Sequence, residues 1–275
     1  MQVVHVDRLD DPRFVDGDLY RIIGDDDQLR ARGLFVVEGR LVAERLIRRQ
    51  DGLVRSLLLN DAAYRALQST CARLGDDVTA FVCETRHFES FTGYKIHRGC
   101  LALAARPPQV AVEHVVADAR MLVLLEEVAN ADNVGGIFRN AAAFGADGVV
   151  LSRGCADPLY RKTIRTSMGA VLTVPFAIAK NDGAWRAVLE QVHRRGVQIV
   201  ALTPNASATD LDAFACTSQG VRVALLVGAE GGGLTAESQA AADVRVRIPI
   251  RDDVDSLNVA VATGIALHRL AASPR

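Results

Sequence analysis

Lysine is nearly missing from this chain of 275 residues: three of its 32 basic residues are lysines and the rest are arginines. Compositional drift accounts for that as well as function does, although the arginine fork matches phosphate geometry. Charge of one sign is missing too. The 33 acidic residues leave a net charge of −1, so no global basic field marks the whole chain as a nucleic-acid binder. Cysteine is scarce and scattered, at Cys71, Cys83, Cys100, Cys155 and Cys216. No Cys-x-x-Cys occurs, which argues against a zinc site or a disulfide framework and for reduced thiols in a cytoplasmic protein. No apolar run approaches the roughly 18 residues that would span a bilayer. The opening MQVVHVDRLDDPRF is acidic and has no apolar stretch of the kind a secretory signal carries. What remains is ordinary globular composition, 49% hydrophobic and 24% charged, enough for one large or two modest domains.

The chain reads as two halves joined near ARPPQVAVEHVVADAR, whose Pro107–Pro108 pair fits neither a helix interior nor a central strand. The first half alternates strands (GLFVVEG, LVRSLLLN, DVTAFVC, CLALAA) with helices (GRLVAERLIRRQ, DAAYRALQSTCARLG and the short ETRHFESFTG). Such alternation implies a mostly parallel sheet covered by helices. Arginines cluster early, including Arg32, Arg40, Arg45, Arg48, Arg49 and Arg55. Interleaved with Glu38, Glu44 and Asp51, they read as a solvated helix face or as a surface for an RNA backbone.

The second half alternates more regularly. MLVLLEEV, GVVLS, LTVPFAI, VQIVALT, VRVALLVG and VRVRIPI are near-continuous apolar strands, as in a sheet buried on both faces. NVGGIFRNAAAFG, PLYRKTIRTSMGA, GAWRAVLEQVHRRG, TAESQAAAD and SLNVAVATGIALHRLAA read as helices. Ligands of such sheets bind beyond the carboxyl ends of the strands, and three polar clusters fall there.

In ANADNVGGIFRNA, Asn133 reads as a helix cap or as a functional amide. Arg139, six residues on and among apolar neighbours, calls for a partner, as an ion pair or as a functional charge. In LVGAEGGGLTAES, four glycines (228, 231, 232 and 233) surround Glu230. They spell neither a Walker loop nor G-x-G-x-x-G, and a carboxylate would repel phosphate. The turn therefore suits a neutral or cationic ligand, or is simply tight, with Thr235 capping the next helix. In IPIRDDVDSLNVAVATG, Ser256, Leu257 and Asn258 open an apolar helix, with Ser256 reading as its N-cap. Asn258 in a first turn is less expected, since asparagine is a poor helix former.

Taken together and in this order, NVGGIFRNAAAFGADGVVL, LVGAEGGGL and IPIRDDVDSLNVAVATGIAL resemble the three motifs of the SpoU (TrmH-like) branch of the SPOUT RNA methyltransferases. The resemblance covers Met121 to about Leu270. By position and size, the first half resembles the L30e-like RNA-binding domain that often precedes it. The fold implied is α/β: an L30e-like RNA substrate-binding domain (1–105), a linker (106–118) and a SPOUT methyltransferase domain (119–275) with a parallel sheet and a trefoil knot.

The activity implied is methyl transfer from S-adenosylmethionine to a ribose 2′-hydroxyl of RNA by a homodimer paired through its C-terminal domain. Ribosomal RNA, 23S in particular, is favoured over tRNA. The resemblance makes Gly228, Ile248, Leu257 and Thr203 cofactor contacts. It makes Arg139, Asn133, Glu230, Ser256 and Asn258 the catalytic set, with no metal. In the family the motif arginine is often assigned the proton-accepting role. A free guanidinium keeps its proton at neutral pH, so Arg139 is better read as a clamp and electrostatic stabiliser. Arg32, Arg45 and Arg49 are the RNA-binding candidates.

Two departures accompany the match: RDDVDS carries three aspartates (Asp252, Asp253 and Asp255), and EEVANADN lacks the Asp-Pro common at the first motif. Two other classes fit less well. A silent RNA-binding module of the same fold needs none of the five polar residues. A dinucleotide oxidoreductase needs the G-x-G-x-x-G that is missing.

Overall fold

The computed structural model describes residues 1–93, 96, 99–218, 220–251 and 253–271, with the backbone alone for Asp182. Of the three aspartates in RDDVDS, Asp252 lies outside the described residues. The chain divides into two compact units, Met1–Pro108 with Leu159–Leu172 and Gln109–Pro158 with Thr173–Arg275.

The first unit runs β1 (Gln2–His5), α1 (Gly17–Arg21), α2 (Asp26–Ala31), β2 (Leu34–Glu38), α3 (Arg40–Gln50), β3 (Val54–Leu59), α4 (Asp61–Cys71), β4 (Thr79–Val82), α5 (Phe88–Thr92) and β5 (Cys100–Ala105). Its sheet has the order β1-β4-β3-β5-β2. β1, β4 and β3 pair in parallel, whereas β5 runs antiparallel to both β3 and β2. The expected mostly parallel sheet is therefore mixed, because hydrophobic period carries strand identity but not direction. β1, α1 and α2 lack a strong period and escape sequence reading. An aromatic cluster fills one face: Phe14 lies 5.7 Å from Tyr20 and 4.8 Å from Phe81, centroid to centroid.

The second unit opens with α6 (Val112–Val116), β6 (Met121–Leu125), α7 (Ala131–Phe144) and β7 (Gly148–Leu151). The next helix, α8 (Arg161–Thr166), belongs to the first unit. There Arg161 pairs with Glu38 at 3.1 Å, Gln50 donates to the Leu172 carbonyl, and Arg45 Nη1 donates to the Met168 carbonyl at 2.9 Å. Gly169, at φ +76°, leaves no room for a side chain, since a Cβ would lie 2.7 Å from Val42 Cγ1.

The second unit continues with β8 (Phe176–Ile178), α9 (Asp182–Arg194), β9 (Gln198–Leu202), β10 (Thr209–Asp210), α10 (Leu211–Thr217), β11 (Val223–Val227), α11 (Ala236–Ala241), β12 (Val244–Arg247) and α12 (Val259–Ala271). All strands of its seven-stranded sheet, ordered β10-β12-β9-β11-β6-β7-β8, run parallel. Burial on both faces explains why β6 and β11 are buried at every position. β9 is laid down before β11, the strand that separates it from β6.

α7 and α12 pack closely. A Cβ on Gly136 would lie 2.9 Å from Ala260 Cβ, and one on Gly264 would lie 2.8 Å from Asn140 Nδ2. Asn140 Nδ2 donates to the Ala260 carbonyl at 2.7 Å, pinning the pair. Among the described residues no helix is long and apolar enough to cross a membrane.

Candidate active site

The carboxyl ends of β9, β11 and β12 open into one cavity of about 820 Å³. Leu202, Thr203 and Pro204 line it after β9, residues 227–234 after β11, and Ile248 and Ile250 after β12. The segment from Asp255 to Val259 and Ala262 of α12 close it. The structure thus brings Thr203, Gly228, Ile248 and Leu257 to one cavity together with Glu230, Ser256 and Asn258. Its size suits a nucleoside-sized ligand. Its walls combine aliphatic side chains and backbone with the polar Thr203, Gln239, Ser256 and Asn258, and the carboxylates of Glu230 and Asp255 are the charged lining.

Gly228 is required by the loop itself. A Cβ there would lie 2.4 Å from the Gly233 carbonyl, because the turn folds back on itself and Gly233 N donates to the Ala229 carbonyl at 3.0 Å. Gly231 and Gly233 supply left-handed backbone, at φ +86° and +67°. Thr235 caps α11, accepting from Ser238 N.

The polar cluster hangs on one amide. Asn258 Oδ1 accepts from Ala260 N at 3.0 Å and Val261 N at 3.2 Å, so Asn258 caps α12. That fixes the amide's orientation and spends its nitrogen: Nδ2 donates to Asn133 Oδ1 and to Glu230 Oε1, each at 2.8 Å. Ser256 is therefore not the cap, and Asn258 is outside the first turn. Asn258 takes the position with a second pair of hydrogen bonds, whose partners lie on α7 and on the glycine loop. Ser256 is exposed on the cavity wall.

Asn133 is not a cap either. Asn130 caps α7, accepting from Asp132 N, and Asn133 lies inside the first turn, 6% exposed. Arg139 does not meet the partner expected of it. Its side chain is exposed on α7 and makes no hydrogen bond or ion pair among the described residues, so the guanidinium is available to a ligand.

Arg32, Arg45 and Arg49 belong to the first unit. All three are exposed, and Arg45 also donates through Nη1 to the Met168 carbonyl. The neighbouring Arg48 pairs with Glu44, as a solvated face would. One residue of the site was passed over in sequence. Glu126 is buried at the end of β6 and holds the far end of the glycine loop through Thr235. Its only sequence signal was a carboxylate closing an apolar strand.

The class these features define is a parallel α/β domain with a cofactor-sized cavity at its strand ends and a three-residue amide–carboxylate chain on the rim. The chain belongs to the SpoU rRNA Methylase family, whose model matches residues 120–268. An uncharacterized tRNA/rRNA methyltransferase of Mycobacterium tuberculosis is 40% identical over 94% of this chain and 88% of its own length. The 23S rRNA (guanosine(2553)-2′-O)-methyltransferase RlmP of Bacillus subtilis is 28% identical over 86% of this chain and 88% of its own. Among solved structures, an AdoMet-bound rRNA methyltransferase from Sinorhizobium meliloti superposes with a TM-score of 0.80 at 25% identity, covering 98% of both chains.

Proposed function

We propose that this protein methylates a ribose 2′-hydroxyl of RNA, with S-adenosylmethionine as donor and 23S ribosomal RNA as substrate. The observation that carries the reading is the chain Asn133–Asn258–Glu230, which ties the helix bearing Arg139 to the rim of the cavity. Relatives named for guanosine 2′-O-methylation of 23S rRNA, RlmP and a Nitrosomonas europaea RlmB, support the substrate class.

The cavity fits the cofactor. Leu202, Ile248 and Leu257 offer apolar walls to an adenine, and the backbone of residues 228–234 offers hydrogen bonds. Glu230 and Asp255 suit a sulfonium better than they would a phosphate. Bound there, S-adenosylmethionine supplies an activated methyl group.

The chain's own residues do the rest. A ribose hydroxyl is a weak nucleophile, so the site must orient it and stabilise charge developing on its oxygen. Arg139 clamps the target's phosphate and faces that oxygen. A guanidinium accepts no proton, so the hydroxyl proton leaves to a phosphate oxygen or water. Asn258, its donors spent, positions Asn133 and Glu230. Ser256 and Asn133 orient the ribose. Arg32, Arg45 and Arg49 hold RNA backbone elsewhere. The working unit is a homodimer paired through the C-terminal unit. Val261 and Ile265, 52% and 38% exposed one turn apart on α12, are the apolar face it would cover.

Isothermal titration with S-adenosylmethionine, alongside label transfer to RNA, tests the roles. Arg139→Ala is expected to bind the cofactor like the parent and to lose transfer. Equal loss of both would remove Arg139 from the chemistry.

A further inference from the structure

Glu126 closes β6 and is 3% exposed. Its backbone N–H donates to the Val227 carbonyl at 2.9 Å, one residue before Gly228. Its carboxylate gathers four donors. Thr235 N reaches Oε2 at 2.9 Å. Thr235 Oγ1, Ser238 Oγ and the indole nitrogen of Trp185 all donate to Oε1, the threonine at 2.9 Å and the tryptophan at 3.1 Å. The glycine loop is thus held at both ends: through β11 at Val227, and through Glu126 at Thr235. The same residue starts the loop that leads to Asn130, Asn133 and Arg139.

We propose that Glu126 is a positioning residue for the cofactor: it does not line the cavity, but sets the shape of the 228–234 loop that does. The inference rests on the reading of the cavity as the cofactor site. The chemistry requires a carboxylate. Two acceptor oxygens and no donor meet four converging donors, three on Oε1 and Thr235 N on Oε2, whereas a glutamine that keeps its oxygen at Oε1 turns an NH₂ toward Thr235 N. Buried and unmatched, such a donor breaks the anchor rather than bending it. Nothing else among the contacts of Thr235 N replaces it. Trp185 is the only tryptophan in the chain, so its emission reports this network without a label.

The test uses the full chain and Glu126→Gln. Amide hydrogen exchange is first read without cofactor. Gly233 and Thr235 amides are expected to exchange about tenfold faster in the variant, with the β9 and α12 amides unchanged and Trp185 emission shifted. In transfer assays KM for S-adenosylmethionine is expected to rise about tenfold, with kcat at saturation within about twofold. Thr235→Val should reproduce the KM effect and Thr235→Ser, which keeps the hydroxyl, should not. Because Thr235→Val also loses the cap on α11, Ser238→Ala, which removes a donor to Glu126 but keeps the backbone N–H that Thr235 accepts, should raise KM as well, and an unchanged KM there overturns the assignment even if Glu126→Gln fails to fold. Unchanged exchange at Gly233 and Thr235, or a fall in kcat at unchanged KM, would overturn the assignment. Absence of cofactor binding by the parent protein would overturn the cavity's reading instead. The cofactor-free exchange result still decides whether Glu126 sets the loop.

Discussion

Replacing Asn258 by alanine removes four hydrogen bonds at once, and their separate costs are readable. Loss of the cap on α12 leaves Ala260 N and Val261 N to water, at about 1 kcal/mol. Asn133 Oδ1, on a residue 6% exposed, loses its donor, at about 1–3 kcal/mol. Glu230 is exposed and finds water, so its loss adds little. The sum is about 2–4 kcal/mol, or a fall of roughly 5–12 °C in the melting temperature of a unit of this size.

Asn258→Asp separates the two halves of the effect. Its carboxylate still accepts from Ala260 N and Val261 N, so the cap survives. It has no donor for Asn133 or Glu230, and it sets one more acceptor where two already converge at 2.8 Å. It is expected to recover about 1 kcal/mol of the alanine loss and to recover no methyl transfer. Calorimetry and transfer from S-adenosylmethionine read the two quantities. An aspartate variant as active as the parent, or an alanine variant melting within a degree of it, would refute the reasoning.

Other outcomes follow from the same geometry. Arg139→Ala should lower kcat by about 10²–10³-fold, the scale of losing one preorganised charge-stabilising group, with cofactor affinity unchanged by titration. Gly228→Ala drives a Cβ to 2.4 Å from the Gly233 carbonyl, so cofactor affinity should fall below detection while the first unit's aromatic cluster melts unchanged. Arg49→Ala should flatten the dependence of RNA affinity on salt by about one counterion; an unchanged slope would return Arg49 to the solvated face. Burial holds the thiols of Cys71 and Cys155 up to about 11 and those of Cys83 and Cys100 up to about 12, from an ordinary value near 9. The native state keeps those protons longer than the unfolded chain. Stability should therefore be intact below pH 9 and decline as pH climbs from there toward 12, a trend that denaturant titrations at stepped pH would follow. At pH 8 a thiol reagent should label exposed Cys216 first.

How far the sequence carried differs from element to element. The strands of the second unit were legible because burial on both faces writes them as apolar runs, and the three polar clusters were legible because they follow those runs, while Thr203, Gly228, Ile248 and Leu257 were named through the family resemblance. Strand direction in the first unit was not, since β5 reverses without any change of period. Capping was misplaced for a definite reason. Asn130 and Asn133, like Ser256 and Asn258, are pairs of residues with similar local preference. The choice within each pair is made by partners 28 and 125 residues away. The helix after β7 was legible, but its home was not. Tyr160 and Arg161 find Asp27, Asp26 and Glu38 far earlier in the chain, and only the fold shows that acid to be waiting. Glu126 and Glu127 look alike in sequence, yet one is buried among four donors and the other is exposed with a left-handed backbone at φ 57°.

The central claim is most directly tested by incubating the protein with radiolabelled S-adenosylmethionine and separated ribosomal and transfer RNA from cells lacking it. The account predicts label in 23S RNA that survives alkaline hydrolysis as a resistant dinucleotide, the mark of a methylated 2′-oxygen. Label released as a mononucleotide would place the methyl on a base, and label confined to transfer RNA would move the substrate; either contradicts the account as stated.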